Sequence, residues 1–198
     1  AGTARLDPDT NDGIALTGDP VVMGSKIYYI ATDPEHGAEL WKSDGTIAGT
    51  TLVKDVRPGT SGSEINVLYV IGSKIYFGAN DGTSGSEPWV SDGTDAGTRM
   101  MIDLNPGAST SGPGGFFGFA NKIMFRANTG PGIVYYATDA TSFATESLGY
   151  EQCNGQKIEL GSRLIIALQN PTGGCEPAVT NGTTAGTFFL GDLYPGST

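Results

Sequence analysis

The chain has 198 residues, among them 31 glycines and 11 prolines, and it carries a formal net charge of −10. With 38% hydrophobic and 16% charged residues, it is too apolar for a disordered tail. The acidic balance argues against nucleic acid or an anionic membrane surface as a partner. The apolar runs are too short to span a bilayer, so membrane insertion is not expected. The single histidine, His36, excludes a metal site built from several histidines.

The first residue is Ala1, and no charged-then-apolar leader follows it, as expected for a mature secreted protein or an excised fragment. Polar, threonine- and glycine-rich turns are typical of an extracellular surface. We therefore expect an extracellular or cell-surface location.

A segment of about 47 residues recurs along the chain. The copies are ELWKSDGTIAGTTLVKDVRPG from Glu39, EPWVSDGTDAGTRMMIDLNPG from Glu87, EPAVTNGTTAGTFFLGDLYPG from Glu176 and a divergent copy from Val134. The threonine of the A-G-T step recurs at Thr3, Thr50, Thr98, Thr145 and Thr187, with spacings of 47, 48, 47 and 42 residues. A second marker, GSKIYYIA from Gly24, precedes the copies with the same period. A fixed period of this length is typical of β-propeller blades.

In chain order, residues 1–13 are predicted to form an extra strand and an acidic loop, and four repeats are predicted to follow at 14–59, 60–107, 108–152 and 153–198. Each repeat is predicted to form four short strands, because runs rich in Ile, Val, Tyr and Phe are bounded by Gly, Asn, Asp and Pro. Examples are INVLYVI at 65–71, KIYYIA, ELWKS and TTLVKDV. The sequence therefore predicts an all-β, β-propeller-like array of four four-stranded blades, with an additional N-terminal strand.

The N-terminal strand, AGTARLD, repeats the signature of a blade's fourth strand but has no vacant place in four blades. Three interpretations stay open: an extra edge strand, a strand that pairs with a neighbouring molecule, or a chain cut from a longer array. A closed propeller and an open stack also both remain open. We expect the outer sheet edges to mediate assembly, with this strand swapped into a neighbour or sealing the last blade.

The acidic loop that follows contains Asp7, Asp9, Asn11 and Asp12. Oxygen ligands at alternate positions before a glycine resemble a calcium loop. The glycine falls one place late for the EF-hand spacing, and no glutamate stands at its twelfth position. A calcium site and a solvated linker are the two interpretations, and no other cofactor is expected.

The most regular motif is Asp-Gly-Thr-x-x-Gly-Thr, between the third and fourth strands of a blade. Its glycines tolerate positive φ, and its Asp and Thr can bond nearby backbone groups. A phosphate-binding loop would need a following helix and usually a lysine, so we interpret the motif as a structural turn. The turn residues are Asp44, Gly45, Thr46, Asp92, Gly93, Thr94, Asn181, Gly182 and Thr183.

An aromatic residue recurs on the third strand, at Trp41, Trp89 and Tyr136, with Ala178 in the fourth repeat. Such a column packs between blades or, in the alternative interpretation, forms a sugar-stacking platform that binds a ligand. The carboxylates of Glu39, Glu87 and Glu176 precede it. Their repetition in similar surroundings indicates bonds to turn N–H groups, because the paired acids of a glycosidase need two distinct environments.

The two cysteines, Cys153 and Cys175, are 22 residues apart in the fourth repeat. They precede two strands that start at the same end of the blade and are separated by one strand. Strands two apart are too far for a direct bridge, at roughly 9.6 Å, but flanking loops can close the gap. A disulfide is predicted, and two buried free thiols are the alternative.

The segment ELWKSDGTIAGTTLVKDVRPG resembles the ELWxTDGTxxGT repeats of large secreted or surface proteins of bacteria. The resemblance implies a β-propeller-like array outside the cell, in proteins that often carry adhesive or hydrolytic modules, and it brings no catalytic residues. We therefore predict a non-enzymatic structural or binding module that acts in adhesion, in a matrix or in self-assembly into an array or filament. Its partners are expected to be other copies or other surface proteins. The alternatives are a lectin-like, carbohydrate-binding propeller and an accessory domain of a secreted hydrolase.

Overall fold

The structure is a computed structural model that describes residues 15–130, 132–171, 174–191 and 193. The chain divides into two compact units, with the boundary between Gly114 and Gly115. The described residues form fifteen strands, all antiparallel to their neighbours, and no helix. No helix long and apolar enough to cross a membrane therefore occurs in this part of the chain. The extra N-terminal strand predicted at residues 1–13 lies outside the described residues.

The first unit contains two four-stranded sheets, which we call blades 1 and 2. Blade 1 has the order β1-β2-β3-β4, and blade 2 has the order β5-β6-β7-β8. The strands are β1 (Ala15–Met23), β2 (Lys26–Asp33), β3 (Gly37–Ser43), β4 (Thr51–Lys54), β5 (Tyr69–Ile71), β6 (Lys74–Asn80), β7 (Ser86–Ser91) and β8 (Arg99–Met100).

The second unit contains one seven-stranded sheet in which each strand pairs with the next in the sequence. Its strands are β9 (Gly114–Phe119), β10 (Lys122–Asn128), β11 (Ile133–Asp139), β12 (Thr145–Leu160), β13 (Arg163–Gln169), β14 (Cys175–Thr180) and β15 (Phe188–Phe189). The long strand β12 is both the last strand of blade 3 and the first strand of blade 4. The predicted all-β fold with four four-stranded blades is therefore confirmed.

The first strand of blade 2 is shorter than the sequence predicts. The strand was expected over 65–71, but only Tyr69–Ile71 pairs with β6. Ser63 instead connects the blades: its N–H donates to Ala38 O at 3.0 Å, and its carbonyl accepts from Asn80 N at 2.8 Å. The side chains of Ile65 and Leu68 are buried in the core of the first unit. Apolar side chains in this segment thus fill the space between blades without forming a sheet ladder.

Each blade has two faces, which alternate along its strands. We call the side that bears Trp41, Trp89, Tyr136 or Ala178 the first face, and the opposite side the second face. In the first unit, Tyr28 and Leu40 on the second face of blade 1 share one core with Phe77 and Trp89 on the first face of blade 2. The core of the second unit likewise joins the second face of blade 3 to the first face of blade 4.

The predicted disulfide is confirmed: Cys153 and Cys175 are bonded, with 5.8 Å between their Cα atoms. The pairing of β12 with β13 is regular from 157 to 160 and shifts between Gln152 and Lys157. This bulge lets Cys153 reach Cys175 at the start of β14, although β13 lies between the two strands. The bulge therefore closes the gap that regular strand spacing would leave.

Candidate binding surface

In each regular copy of the turn, the side chain of the first residue accepts hydrogen bonds from the threonine two residues later. Asp44 Oδ1 accepts hydrogen bonds from Thr46 N at 3.0 Å and Thr46 Oγ1 at 2.7 Å. Thr46 Oγ1 in turn accepts from Gly49 N at 3.0 Å, and Thr50 Oγ1 donates to Thr46 O at 2.8 Å. The hydrogen bond from Thr46 lowers the pKa of Asp44, because it favours the ionised form.

The same network recurs in the second and fourth blades. Asp92 Oδ1 accepts from Thr94 N and Thr94 Oγ1 at 2.9 and 2.6 Å, and the pKa of Asp92 is lowered chiefly by that side-chain bond. Asn181 Oδ1 accepts from Thr183 N and Thr183 Oγ1 at 3.0 and 2.7 Å. The amide oxygen of Asn181 therefore accepts the same two hydrogen bonds as the carboxylate of Asp92. These side chains form hydrogen bonds within their own turns.

The third turn, from Asp139 to Thr145, is built differently. Asp139 Oδ1 accepts from Thr141 N at 2.9 Å and Ser142 N at 2.7 Å, and Phe143 N donates to Asp139 O at 3.0 Å. Phe143 has a φ of 56°, a conformation that is uncommon for a bulky residue. The divergent sequence of the third repeat thus corresponds to a different hydrogen-bonding pattern.

The repeated glutamates bind backbone N–H groups, as the sequence predicts. Glu39 accepts from Val56 N and Arg57 N, both at 3.2 Å, and from Ser63 Oγ at 2.8 Å. Leu193 N donates to Glu176 at 2.9 Å. Each carboxylate thus anchors the chain that follows its blade's fourth strand.

Glu87 repeats this arrangement in the second blade. It accepts from Leu104 N and Ser111 N, both at 3.0 Å, and from Ser111 Oγ at 2.7 Å. Burial raises the pKa of Glu87, as it does that of Glu39, because removal from water penalises the charged form.

The aromatic column lies in the protein interior. Trp41, Trp89 and Tyr136 are 7%, 6% and 6% exposed, and Trp89 belongs to the core between blades 1 and 2. The interpretation of these residues as ligand-binding aromatics needs exposed rings, and rings this deeply buried present no stacking surface to a sugar. We assign them to packing.

Neighbouring blades within a unit are also joined by lysines. Lys42 Nζ donates to Gly93 O, and Lys122 Nζ donates to Gly182 O, both at 2.8 Å. Each lysine extends from one blade to the Asp-Gly-Thr or Asn-Gly-Thr turn of the next. The second face of a blade is thus shaped to receive the following blade and its turn.

The second face of blade 4 is apolar on all four strands. The register pairs Ile158 with Ile165, Ile165 with Val179, and Val179 with Phe188, so these side chains lie on one side of the sheet. Alternation adds further residues to the same side. We call this set the fourth-blade face: Ile158, Leu160, Ile165, Ala167, Pro177, Val179, Phe188 and Leu190.

The outer part of the fourth-blade face is exposed. Ile158 and Leu160 are each 67% exposed, Leu190 is 55% exposed and Phe188 is 47% exposed. In the first three blades, the position of Leu190 is taken by Val53, Met101 and Leu148, all of which are buried. The position of the half-buried Ile165 is taken by Tyr28, Tyr76 and Met124, which are also buried. The exposure at these positions is therefore specific to the fourth blade. It is not predictable from the sequence, because it depends on which face has a neighbour.

A depression of about 250 Å³ lies on this face beside the bulge of β12. Its wall includes Ile158, Ile165, Ala167 and Pro177. The volume is below the roughly 300–1,000 Å³ that is typical of small-molecule sites. A depression of this size is better suited to an inserted side chain.

The described residues contain no cluster of three or more His, Cys, Asp or Glu side chains arranged to hold a metal ion. The predicted calcium ligands Asp7, Asp9, Asn11 and Asp12 lie outside the described residues, and calcium binding stays a prediction.

No protein-family model and no curated protein matches the sequence. Solved structures of β-propeller proteins are similar in fold. A puromycin hydrolase variant matches with a TM-score of 0.59 and 17% identity, over 93% of this chain and 30% of that chain. An oligogalacturonate lyase from Vibrio parahaemolyticus gives 0.54 and 12%, over 91% and 55%. A puromycin-hydrolysing peptidase from Mycobacterium tuberculosis gives 0.52 and 12%, over 92% and 32%.

The chain thus spans between about a third and about half of the length of these structures. At such low identity, the similarity extends to the fold alone. Together with the four blades, it shows that the fold is β-propeller-like.

Proposed function

We propose that the protein is a non-catalytic structural or binding module that acts at the cell surface or outside the cell, in adhesion, in a matrix or in self-assembly. The observation that carries this proposal is the exposed fourth-blade face. Contiguous exposed apolar surface is costly in water and marks sites of protein interaction. A repeat surface that faces solvent is usually polar, and the fourth-blade face is apolar.

The repeated polar residues support the same function. The carboxylate oxygens of Glu39, Glu87 and Asp44 accept hydrogen bonds inside the blades. They therefore serve the scaffold. The disulfide between Cys153 and Cys175 is typical of an oxidising compartment, which supports the extracellular location. The comparisons with a hydrolase, a lyase and a peptidase concern the fold, so they favour no reaction for this chain.

Display on the surface of a non-adherent cell tests the proposal. Labelled cells that display the protein are mixed with unlabelled cells that either display it or are bare, and mixed aggregates are counted by flow cytometry. We expect displaying cells to aggregate, and we expect Leu160→Lys to reduce the aggregation. Val22→Lys, at a 65% exposed position in β1, is the matched control and should aggregate as the parent does.

Two outcomes would overturn the proposal. One is aggregation that a soluble polysaccharide abolishes and that Leu160→Lys leaves unchanged, which would favour the carbohydrate-binding alternative. The other is hydrolysis of ester, glycoside or peptide substrates by the purified protein, since that would make the chain an enzyme.

A further inference from the structure

We propose that Asn181, on the turn between β14 and β15, is an acceptor for N-linked glycosylation. Asn181, Gly182 and Thr183 form an Asn-x-Thr sequence, the pattern at which an oligosaccharide is attached to an asparagine amide. The chain has one further Asn-x-Thr, at Asn170, and the proline at its middle position excludes it. The inference goes beyond the proposed function and rests on the extracellular location that the proposed function includes.

The role of Asn181 in the turn occupies only the oxygen of its amide. Oδ1 accepts hydrogen bonds from Thr183 N at 3.0 Å and from Thr183 Oγ1 at 2.7 Å. Asn181 Nδ2 donates no hydrogen bond within the described part of the chain. Gly186 lies beside the amide and has no side chain that would cover it. A sugar on Nδ2 therefore leaves the cap of the turn intact, because the amide keeps its oxygen.

The other copies of the turn show that an asparagine is not needed for the fold. In blades 1 and 2, Asp44 and Asp92 accept the same two hydrogen bonds from the threonine two residues later. A carboxylate has no nitrogen on which to carry a glycan. Asn181 therefore keeps the hydrogen bonds of the regular turn and adds a group that can accept a sugar.

The turn of blade 4 is also accessible to a large modifying group. Asn181 is exposed, and its turn lies beyond the ends of β14 and β15. Asp44 has the same place in blade 1 and is exposed as well, although blade 2 follows blade 1 in the sequence and packs against it. A following blade thus leaves this turn uncovered, so the exposure of Asn181 does not depend on what lies beside blade 4.

The reaction joins Asn181 Nδ2 to the anomeric carbon of a sugar. The donor is an oligosaccharide linked to a lipid diphosphate, and an oligosaccharyltransferase is the enzyme. The bond from the anomeric carbon to the diphosphate oxygen breaks, the lipid diphosphate leaves as an anion, and Nδ2 loses one proton. This transfer accompanies export through compartments in which disulfides form, and the bond between Cys153 and Cys175 is typical of them.

Secretion of the full chain from insect cells, followed by digestion with a peptide N-glycosidase, tests the inference. We expect one N-linked glycan, whose removal shifts the protein to the mass of the bare chain. The glycosidase converts the asparagine that carried the glycan to aspartate, so peptide mass spectrometry should find aspartate at position 181. Since Asp-Gly-Thr forms the same turn in blade 2, circular dichroism should show that the digested protein stays folded.

Two matched variants separate the acceptor from the turn. Asn181→Asp keeps the cap of the turn and should abolish the glycan. Asp92→Asn creates the same Asn-x-Thr sequence on the corresponding turn of blade 2, where Asp92 is exposed, so it should add a second glycan. The second variant also makes a negative result decisive, because it shows whether the host modifies a turn of this shape.

Two results would overturn the inference: a secreted, disulfide-bonded chain without a glycan at Asn181, or a glycan that Asn181→Asp leaves in place. The display experiment separates this failure from failure of the proposed function, because Asn181→Asp should aggregate as the parent does. A chain that aggregates without the glycan leaves the proposed function standing. A glycosylated chain that does not aggregate leaves the modification site standing.

Discussion

The carboxylate of Asp44 lies against Gly49, in the space that a side chain at position 49 would occupy. A Cβ atom built on Gly49 would overlap both carboxylate oxygens of Asp44. The same relationship holds between Asp92 and Gly97 and between Asn181 and Gly186. The second glycine of the Asp-Gly-Thr-x-x-Gly-Thr motif is thus required by the first residue of the motif, because the capping side chain folds back over it.

This relationship predicts that Gly97→Ala destabilises the protein. The new methyl group would displace the Asp92 side chain from Thr94, so the free energy of unfolding should fall by about 1–3 kcal/mol, as in other overpacked sites. Urea unfolding followed by tryptophan fluorescence measures the change. Gly114→Ala is the matched control, because a Cβ there meets nothing within 4 Å. Equal stability of the two variants would contradict the explanation.

The third repeat shows how far the sequence determined the fold. The period of about 47 residues predicted four blades, and the strand composition predicted their four strands. The sequence showed that the third repeat is divergent, and Ala144 stands there at the position of Gly49. Only the structure shows that Asp139 accepts hydrogen bonds from Thr141 N and Ser142 N. The residues of the motif predict the regular turn. Where the motif is lost, the sequence does not predict which other turn forms.

The binding surface was less predictable for a different reason. The hydrogen bonds of the buried glutamates to backbone N–H groups were predictable, because the same residue recurs in the same sequence surroundings in three repeats. The fourth-blade face was not, because Ile158 and Leu160 have the same apolar character as strand residues that are buried elsewhere. Which apolar residues stay exposed depends on which sheet lies beside them, and that information is not local in sequence.

The disulfide makes a prediction for the fourth blade alone. Reduction, or the paired substitution Cys153→Ala with Cys175→Ala, should lower the free energy of unfolding by about 3 kcal/mol, because it releases a closed loop in the unfolded chain. Hydrogen exchange should become faster in β13 and β14 and stay unchanged in the first unit. The reductant should have no further effect on the paired variant. Two alkylatable thiols in native, unreduced protein would refute the bridge.

Calcium binding by the acidic loop stays a prediction from the sequence. Isothermal titration of the full chain with calcium chloride should show one site, and replacing Asp7, Asp9 and Asp12 together with Asn should abolish it, because calcium prefers charged oxygen ligands. Asp19→Asn, in β1, is the control for a general loss of negative charge. Heat that persists in the triple variant would show that the loop is a solvated linker.

The buried glutamates should make the protein more stable as the pH falls from neutrality. Burial raises the pKa of Glu39 and Glu87 above the usual 4.5, so the folded chain takes up these protons at a higher pH than the unfolded chain. Stability should therefore increase as the pH falls from neutrality through the raised pKa towards 4.5. Glu87→Gln removes one of the two groups and should reduce this slope. Glu159→Gln, at an exposed position, should leave the slope unchanged, and an identical slope in both variants would rule out a contribution from Glu87.

The capping aspartates should have the opposite effect at lower pH. The hydrogen bond from Thr94 lowers the pKa of Asp92 below 3.8, so the folded chain binds this proton less readily than the unfolded chain. Its contribution to stability is present above about pH 4 and is lost as the pH falls through the lowered pKa. Asn181 shows that an amide caps the same turn, so Asp92→Asn should keep the stability at pH 7 within about 0.5 kcal/mol.

That variant should also lose less stability than the parent between about pH 4 and pH 2, because its cap does not titrate. Thermal unfolding followed by circular dichroism at a series of pH values measures both effects. Asp95→Asn is the matched control, since this carboxylate pairs with Lys54 at the surface and caps no turn. If Asp92→Asn and the parent lose stability equally in acid, the carboxylate of Asp92 is not a source of the acid sensitivity, and the turn is held by its threonines.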